Sequence, residues 1–143
     1  MVICRAEEKD MAQIMALVTD VFTGEQGIPA EMHPIARERQ PVWWCLCDGE
    51  RIAGAAAAYL DEGRWQMGRI CIAPDVRGCG WGEKLLRHAL GDVFAMGADE
   101  VHMEARDATV RIVLRLGGEI AGAPFAFFGA DCTPLVVRRE KFQ

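Results

Sequence analysis

Residues 70–86 read ICIAPDVRGCGWGEKLL, and the rest of the chain can be arranged around them. Ile70–Ala73 is an apolar run with the character of a buried strand. Pro74 has no N–H and ends it. Gly78, Gly80 and Gly82 then permit a close turn whose N–H groups are free to face an anion. Trp81, Leu85, Leu86, Ala89, Leu90, Val93 and Phe94 recur at helical spacing, which predicts a helix directly after the turn. A strand, a glycine loop and a helix N-terminus together make a diphosphate site, because the helix end carries unpaired donors and the positive pole of its dipole.

Two nucleotide motifs fail on this stretch. A Walker A loop requires Lys-Ser/Thr after its last glycine, and Gly82 is followed by Glu83-Lys84. The dinucleotide pattern G-x-G-x-x-G requires a third glycine where Glu83 stands. What remains is Arg77-x-x-Gly80-x-Gly82. On the residues alone, an anion loop and an ordinary glycine turn before a core helix both fit.

Composition narrows the class. The chain has 143 residues, 51% of them apolar, enough for one domain spanning 1–143 with a real core. Its net charge of −5 argues against a nucleic-acid or anionic-membrane surface. The N-terminus, MVICRAEEKD, is charged from the start, so no secretory leader is expected, and no apolar run approaches a membrane span. A cytoplasmic location is expected. The six cysteines (Cys4, Cys45, Cys47, Cys71, Cys79, Cys132) include no Cys-x-x-Cys pair and read as free buried thiols. The histidines stand singly, so no metal site is expected. There is no serine and no asparagine, which removes a serine nucleophile.

Along the chain, Val2–Arg5 predicts a strand. Ile14, Leu17, Val18, Val21 and Phe22 predict an amphipathic helix, capped by Asp10 and ended at Thr23-Gly24. A loop, EQGIP, and a short helix near residues 35–39 lead to a strand over residues 42–47. Asp48-Gly49 and Asp61-Glu62-Gly63 are hairpin signals, so residues 51–60 and 64–73 continue an antiparallel meander. That reading makes the run Ala55–Ala58 a strand, against its helical propensity. After the helix over residues 80–96, residues 100–105 form a strand parallel to residues 64–73 through a right-handed crossover. A helix capped by Asp107 runs to Leu116. Strands over residues 119–123 and 135–140 close the chain around a long loop, PFAFFGADCTP.

This order, β-α-α-β-β-β-α-β-α-β-β, together with the Arg77–Gly82 loop, resembles the GCN5-related N-acetyltransferases, the GNAT family. VFTGEQGIP is similar to a motif of a small bacterial acyltransferase subgroup, and ARDATVRIVLRLGG lies where the family has a Phe-Tyr helix. The resemblance implies a mixed α/β (α+β) fold. It has a mostly antiparallel sheet of six to seven strands, about four helices and a splayed parallel strand pair. It implies acetyl-CoA, or another acyl-CoA, as co-substrate. The pantetheine arm would lie on the backbone of Ile70, Cys71 and Ile72, and the pyrophosphate on Arg77, Gly78, Cys79, Gly80, Trp81 and Gly82. The reaction implied is direct transfer of an acetyl or short acyl group to a primary amine of a small molecule or peptide. Family members often dimerise through the last strands, so a homodimer is implied as well.

The amine must lose a proton before it attacks. Glu25, in the EQG motif, and Glu104, near the end of the parallel strand, are the candidate bases; an ion pair of Glu104 with Arg69 or Arg106 is the structural alternative. The family's acid tyrosine has its counterpart at Val113, so no tyrosine stands there. Cys132, water or unaided departure would then serve the leaving thiolate, whose pKa is about 8.5. Arg111 and Arg115 could meet the 3′-phosphate of CoA. Trp43, Trp44 and Trp65 read as core, whereas the loop over residues 124–134 is long and apolar enough to wall an acceptor site. Two other functions share these features: a CoA-binding sensor without turnover, and an acyl-homoserine lactone synthase-like enzyme.

Overall fold

The computed structural model describes residues 1–143. Its strands are β1 (Val2–Arg5), β2 (Val42–Asp48), β3 (Arg51–Asp61), β4 (Arg64–Ile72), β5 (Glu100–Ala105), β6 (Glu119–Ile120), β7 (Phe125–Phe127) and β8 (Ala130–Arg138). The helical segments are α1 (Met11–Val18), its π-helical continuation Thr19–Glu25, α2 (Trp81–Ala95) and α3 (Asp107–Arg115). The sheet order is β1-β2-β3-β4-β5-β8-β6, with β7 paired to β8 beside that path. Only β4 and β5 run parallel, joined through α2 as the crossover requires. The mixed α/β architecture is the one expected, with eight strands rather than six or seven.

The alanine run explains how the sheet is covered on both faces. Ala55–Ala58 lies in β3 and is wholly buried. Side chains alternate across a strand, so Ala55 and Ala57 meet α1 with Ile14, Val18, Trp43 and Cys45. Ala56 and Ala58 meet the opposite layer with Trp44, Met67, Leu86, Leu90 and Val93. Small side chains on both faces let both helix layers approach, and this tertiary packing overrides helical propensity. The indole N–H of buried Trp44 donates to Asp92 on α2 at 2.7 Å, so that carboxylate is not simply solvated.

Three expectations are corrected. The helix begun at α1 does not stop at Thr23-Gly24; its π-helical turn runs to Glu25 and is closed by Gly27 (φ 73°), whose N–H donates to the Thr23 carbonyl. The helix expected near residues 35–39 is replaced by two short 3-10 turns, Ala30–Met32 and Arg37–Arg39, in a segment broken by Pro29, Pro34 and Pro41. The loop over residues 124–134 is a hairpin, β7–β8. Its two-residue turn, Phe128-Gly129, has positive φ at both positions (47° and 84°), the geometry of a type I′ turn. Asn or Asp usually fills the first of these positions, so a phenylalanine there hid the turn. β8 therefore starts at Ala130, not at Leu135.

Candidate active site

β4 and β5 touch at one register pair, Gln66 and His102, and diverge beyond it. A bulge in β4 sharpens the divergence: Ala55 faces Cys71 and Ala57 faces Gly68, so Arg69 and Ile70 together oppose Ala56. Arg69 adopts φ 54°, a left-handed conformation costly for a residue with a Cβ. Its side chain holds it there. Nε donates to the His33 carbonyl (3.0 Å), Nη2 to the Met32 carbonyl (3.0 Å) and Nη1 to the Tyr59 hydroxyl (3.4 Å). On the side facing β5, Ile70, Cys71 and Ile72 have no strand partner. A cleft of about 940 Å³ fills the gap.

The glycine loop closes one end of this cleft. Gly78 (φ 81°) and Gly80 (φ 83°) are both left-handed, and a Cβ on either would meet nothing within 4 Å. Gly80 is the N-cap of α2 and supplies no side-chain cap, so the first-turn N–H groups of this 15-residue helix have no side-chain acceptor. Gly82 instead serves close packing: a Cβ there would lie 3.4 Å from Ile112 Cδ1 and 3.7 Å from Ile72 Cγ1. The Lys84 ammonium lies 4.5 Å from the centre of the Trp81 ring. Cys79 is exposed and Cys71 is buried, with burial pushing the Cys71 thiol up to about 12. An unpaired strand edge leading to a left-handed glycine turn and an uncapped helix end fits an extended amide arm ending in a diphosphate.

Arg77 ties the loop to the first helical layer. Its Nε donates to the Ile72 carbonyl (2.8 Å), and its two Nη atoms grip Glu25 Oε1 and Oε2, each at 2.9 Å. Glu25 and Arg77 were expected on separate tasks; they form one bidentate pair. Arg77 holds the Glu25 carboxyl below its usual range by hydrogen bonding and charge.

Glu104 and Cys132 come together on the other wall. Glu104 pairs in register with Pro134, and Cys132 lies two residues along β8, on the same face. Glu104 is exposed to the cleft and makes no ion pair with Arg69 or Arg106, so the structural alternative anticipated for it is not formed. Cys132 is buried; burial pushes its thiol up, and the nearby Arg106 charge pulls it partly back. Arg106 donates to Gln26 Oε1 (3.2 Å) and to the Ala130 carbonyl, and its guanidinium lies 5.7 Å from the Phe127 ring centre. Its Nη2 is the one buried side-chain nitrogen or oxygen without a partner. Phe125 and Phe127, from the hairpin, line the cleft as the long apolar loop suggested.

Two residues at this end were missed. Tyr59, on β3, has its hydroxyl 3.7 Å from where a Cβ would sit on Gly68, inside the cleft. Tyr59 pairs in register with Gln66, which puts Gly68, two residues along β4, on the same face. His33, 2% exposed, also borders the cleft. Its Nε2 lies 2.7 Å from the Thr23 hydroxyl, which itself donates to the Ile28 carbonyl at 2.6 Å. The hydroxyl proton is thus committed, and His33 Nε2–H is the donor to Thr23. Burial and the charge of Arg69 hold the His33 pKa below its usual value. Neither residue lies in a motif, so spacing could not reveal them.

On α3, Val113 is fully buried in the core and faces away from the cleft. Ile112 takes the cleft-facing position instead, and it is apolar, so no acid stands at either residue. Arg111 and Arg115 border the cleft, and Arg115 donates to Glu83 at 2.7 Å.

Residues 11–122 match the profile of the acetyltransferase (GNAT) family. No curated protein matches the chain in sequence. Solved structures share its fold. ElaA from Escherichia coli superposes with TM-score 0.83 at 13% identity, over 94% of this chain and 97% of that one. An acyl-CoA N-acyltransferase from Pseudomonas aeruginosa gives 0.79 at 16% identity, over 94% and 96%. The protein yncA of Salmonella typhimurium, solved with its cofactor acetyl-CoA, gives 0.76 at 17% identity, over 96% and 93%.

Proposed function

The chain belongs to the acetyltransferase (GNAT) family, and on that premise we propose that it transfers an acetyl or short acyl group from acyl-CoA to a primary amine. The observation that carries the reading is the continuous path from the unpaired edge of Ile70–Ile72 through the left-handed glycines to the uncapped start of α2. Bound there, acetyl-CoA supplies an activated thioester. Residues 70–72 offer backbone groups to the pantetheine amides. Gly78–Gly82 and the first turn of α2 offer N–H groups to the pyrophosphate, with Arg77 beside them.

Glu104 is the base in this proposal. It is a carboxylate on the diverging strand, open to the cleft and free of cationic partners. It takes a proton from the incoming ammonium, whose own pKa is about 10.4 for a lysine-like amine. Glu25 is committed to Arg77 and acts through it, on the cofactor side. Cys132 stays protonated at neutral pH, so its thiol can offer a hydrogen to the departing sulfur. The free Nη2 of Arg106 is the donor that an oxygen of the acceptor would meet.

Thermal denaturation with and without acetyl-CoA tests the cofactor half. A rise in Tm that is lost in Gly80→Glu is expected; no rise in the parent protein overturns it. Release of free CoA thiol across a panel of amines tests the catalytic half. Binding without release for every amine would favour the sensor reading.

A further inference from the structure

Outside the cleft, at the β1–β2 edge of the sheet, three thiols meet. Strand register sets Cys4 beside Cys45, and Cys45 and Cys47 are two apart on β2, so all three point to one face. The Sγ separations are 3.9 Å for Cys4–Cys45, 3.9 Å for Cys4–Cys47 and 3.6 Å for Cys45–Cys47. Zinc holds thiolate sulfur at about 2.3 Å, and three corners of such a tetrahedron lie about 3.8 Å apart. The triangle already has the dimensions of a metal face. The three sulfurs have hydrogen-bonding contacts only with one another, so nothing else claims them. Cys45 is buried, Cys47 half-buried and Cys4 exposed, which leaves one side open to solvent for a fourth ligand.

We propose that Cys4, Cys45 and Cys47 form a three-thiolate site for a thiophilic d10 cation of the zinc class, completed by water. Binding exchanges three thiol protons for one divalent cation, giving a site of net charge −1. Soft sulfur ligands alone select such a metal over calcium or magnesium. The site clips β1, a four-residue strand at the sheet edge, to β2. None of its residues borders the cleft, so the site is distinct from the one proposed for acyl transfer.

The test uses the full chain, reduced and stripped of metal, titrated with Cd2+ as the optical probe and with Zn2+ in competition against a chromogenic chelator. One equivalent is expected, with thiolate-to-cadmium charge-transfer absorption and a higher Tm in the presence of Zn2+. Cys4→Ala and Cys47→Ala should each weaken retention at least tenfold, whereas Cys79→Ala, which removes an exposed thiol outside the cluster, should not. Cys4 is exposed, so its alanine variant tests the site with the fold intact, as circular dichroism checks. No retained equivalent, an equivalent that survives in the Cys4→Ala/Cys47→Ala double variant, or a disulfide among the three after air exposure with no metal bound in the reduced protein would each overturn the proposal.

Discussion

Arg77 grips both carboxylate oxygens of Glu25 at 2.9 Å while its Nε holds the Ile72 carbonyl at 2.8 Å. One side chain thus joins the end of the first helical layer, the open edge of β4 and the glycine loop. The contact commits the Glu25 carboxylate to Arg77, and a carboxylate held below its usual range is a weaker proton acceptor.

Glu25→Gln should therefore leave turnover within about tenfold of the parent. It should tighten CoA binding by releasing Arg77 toward the diphosphate. Both side chains are 41% exposed, so the stability change stays within about 1 kcal/mol. Calorimetric titration with CoA checks this; a hundredfold loss of kcat at unchanged CoA affinity would restore Glu25 as the base.

Glu104→Gln should lower kcat by about a hundredfold or more with little change in the KM for acetyl-CoA. The defect should narrow as pH rises toward about 10.4, where the amine deprotonates without help. Cys132→Ala should cost less than about tenfold, because a CoA thiolate with a pKa of about 8.5 leaves readily. A steady-state pH series on the two variants separates these roles.

The buried His33 predicts a pH dependence of stability. Its folded pKa is lowered, so the imidazole stays neutral in the fold at a pH where the unfolded chain binds a proton. Its contribution is full above about pH 6.5 and is lost as pH falls from there toward the folded pKa. Glu25, Glu83 and Glu100 are lowered by cationic or histidine partners, so their contributions are lost in a separate window, below about pH 4.5. Tm should fall in two steps on acidification, and His33→Gln should remove the upper one.

Two glycines should respond oppositely to alanine. Gly117 has φ 94°, and a Cβ there would collide with the Lys141 backbone carbonyl, so Gly117→Ala should cost about 2–4 kcal/mol. Gly24 sits in the π-helical turn with nothing within 4 Å of a Cβ, so Gly24→Ala should stabilise by about 0.5–1 kcal/mol. Denaturant unfolding of both variants measures the contrast.

The sequence by itself determined the strand–loop–helix of residues 70–86, the meander before it and the crossover after it. These follow from local rules: apolar period, glycine and proline punctuation, and short connections. The cofactor half of the candidate site was legible for the same reason, since backbone and glycine within one contiguous stretch build it. Tertiary structure decided how the other half of the candidate site is assembled around the Glu104, Cys132 and hairpin residues that the sequence suggested. Tyr59, His33 and the Glu104–Arg106 end of β5 come from three separate segments and meet beside the bulge at Arg69, where β4 and β5 diverge. The pairing of Glu25 with Arg77, 52 residues apart, and the meeting of Cys4 with Cys45, 41 apart, are likewise products of register and packing, to which no local pattern points.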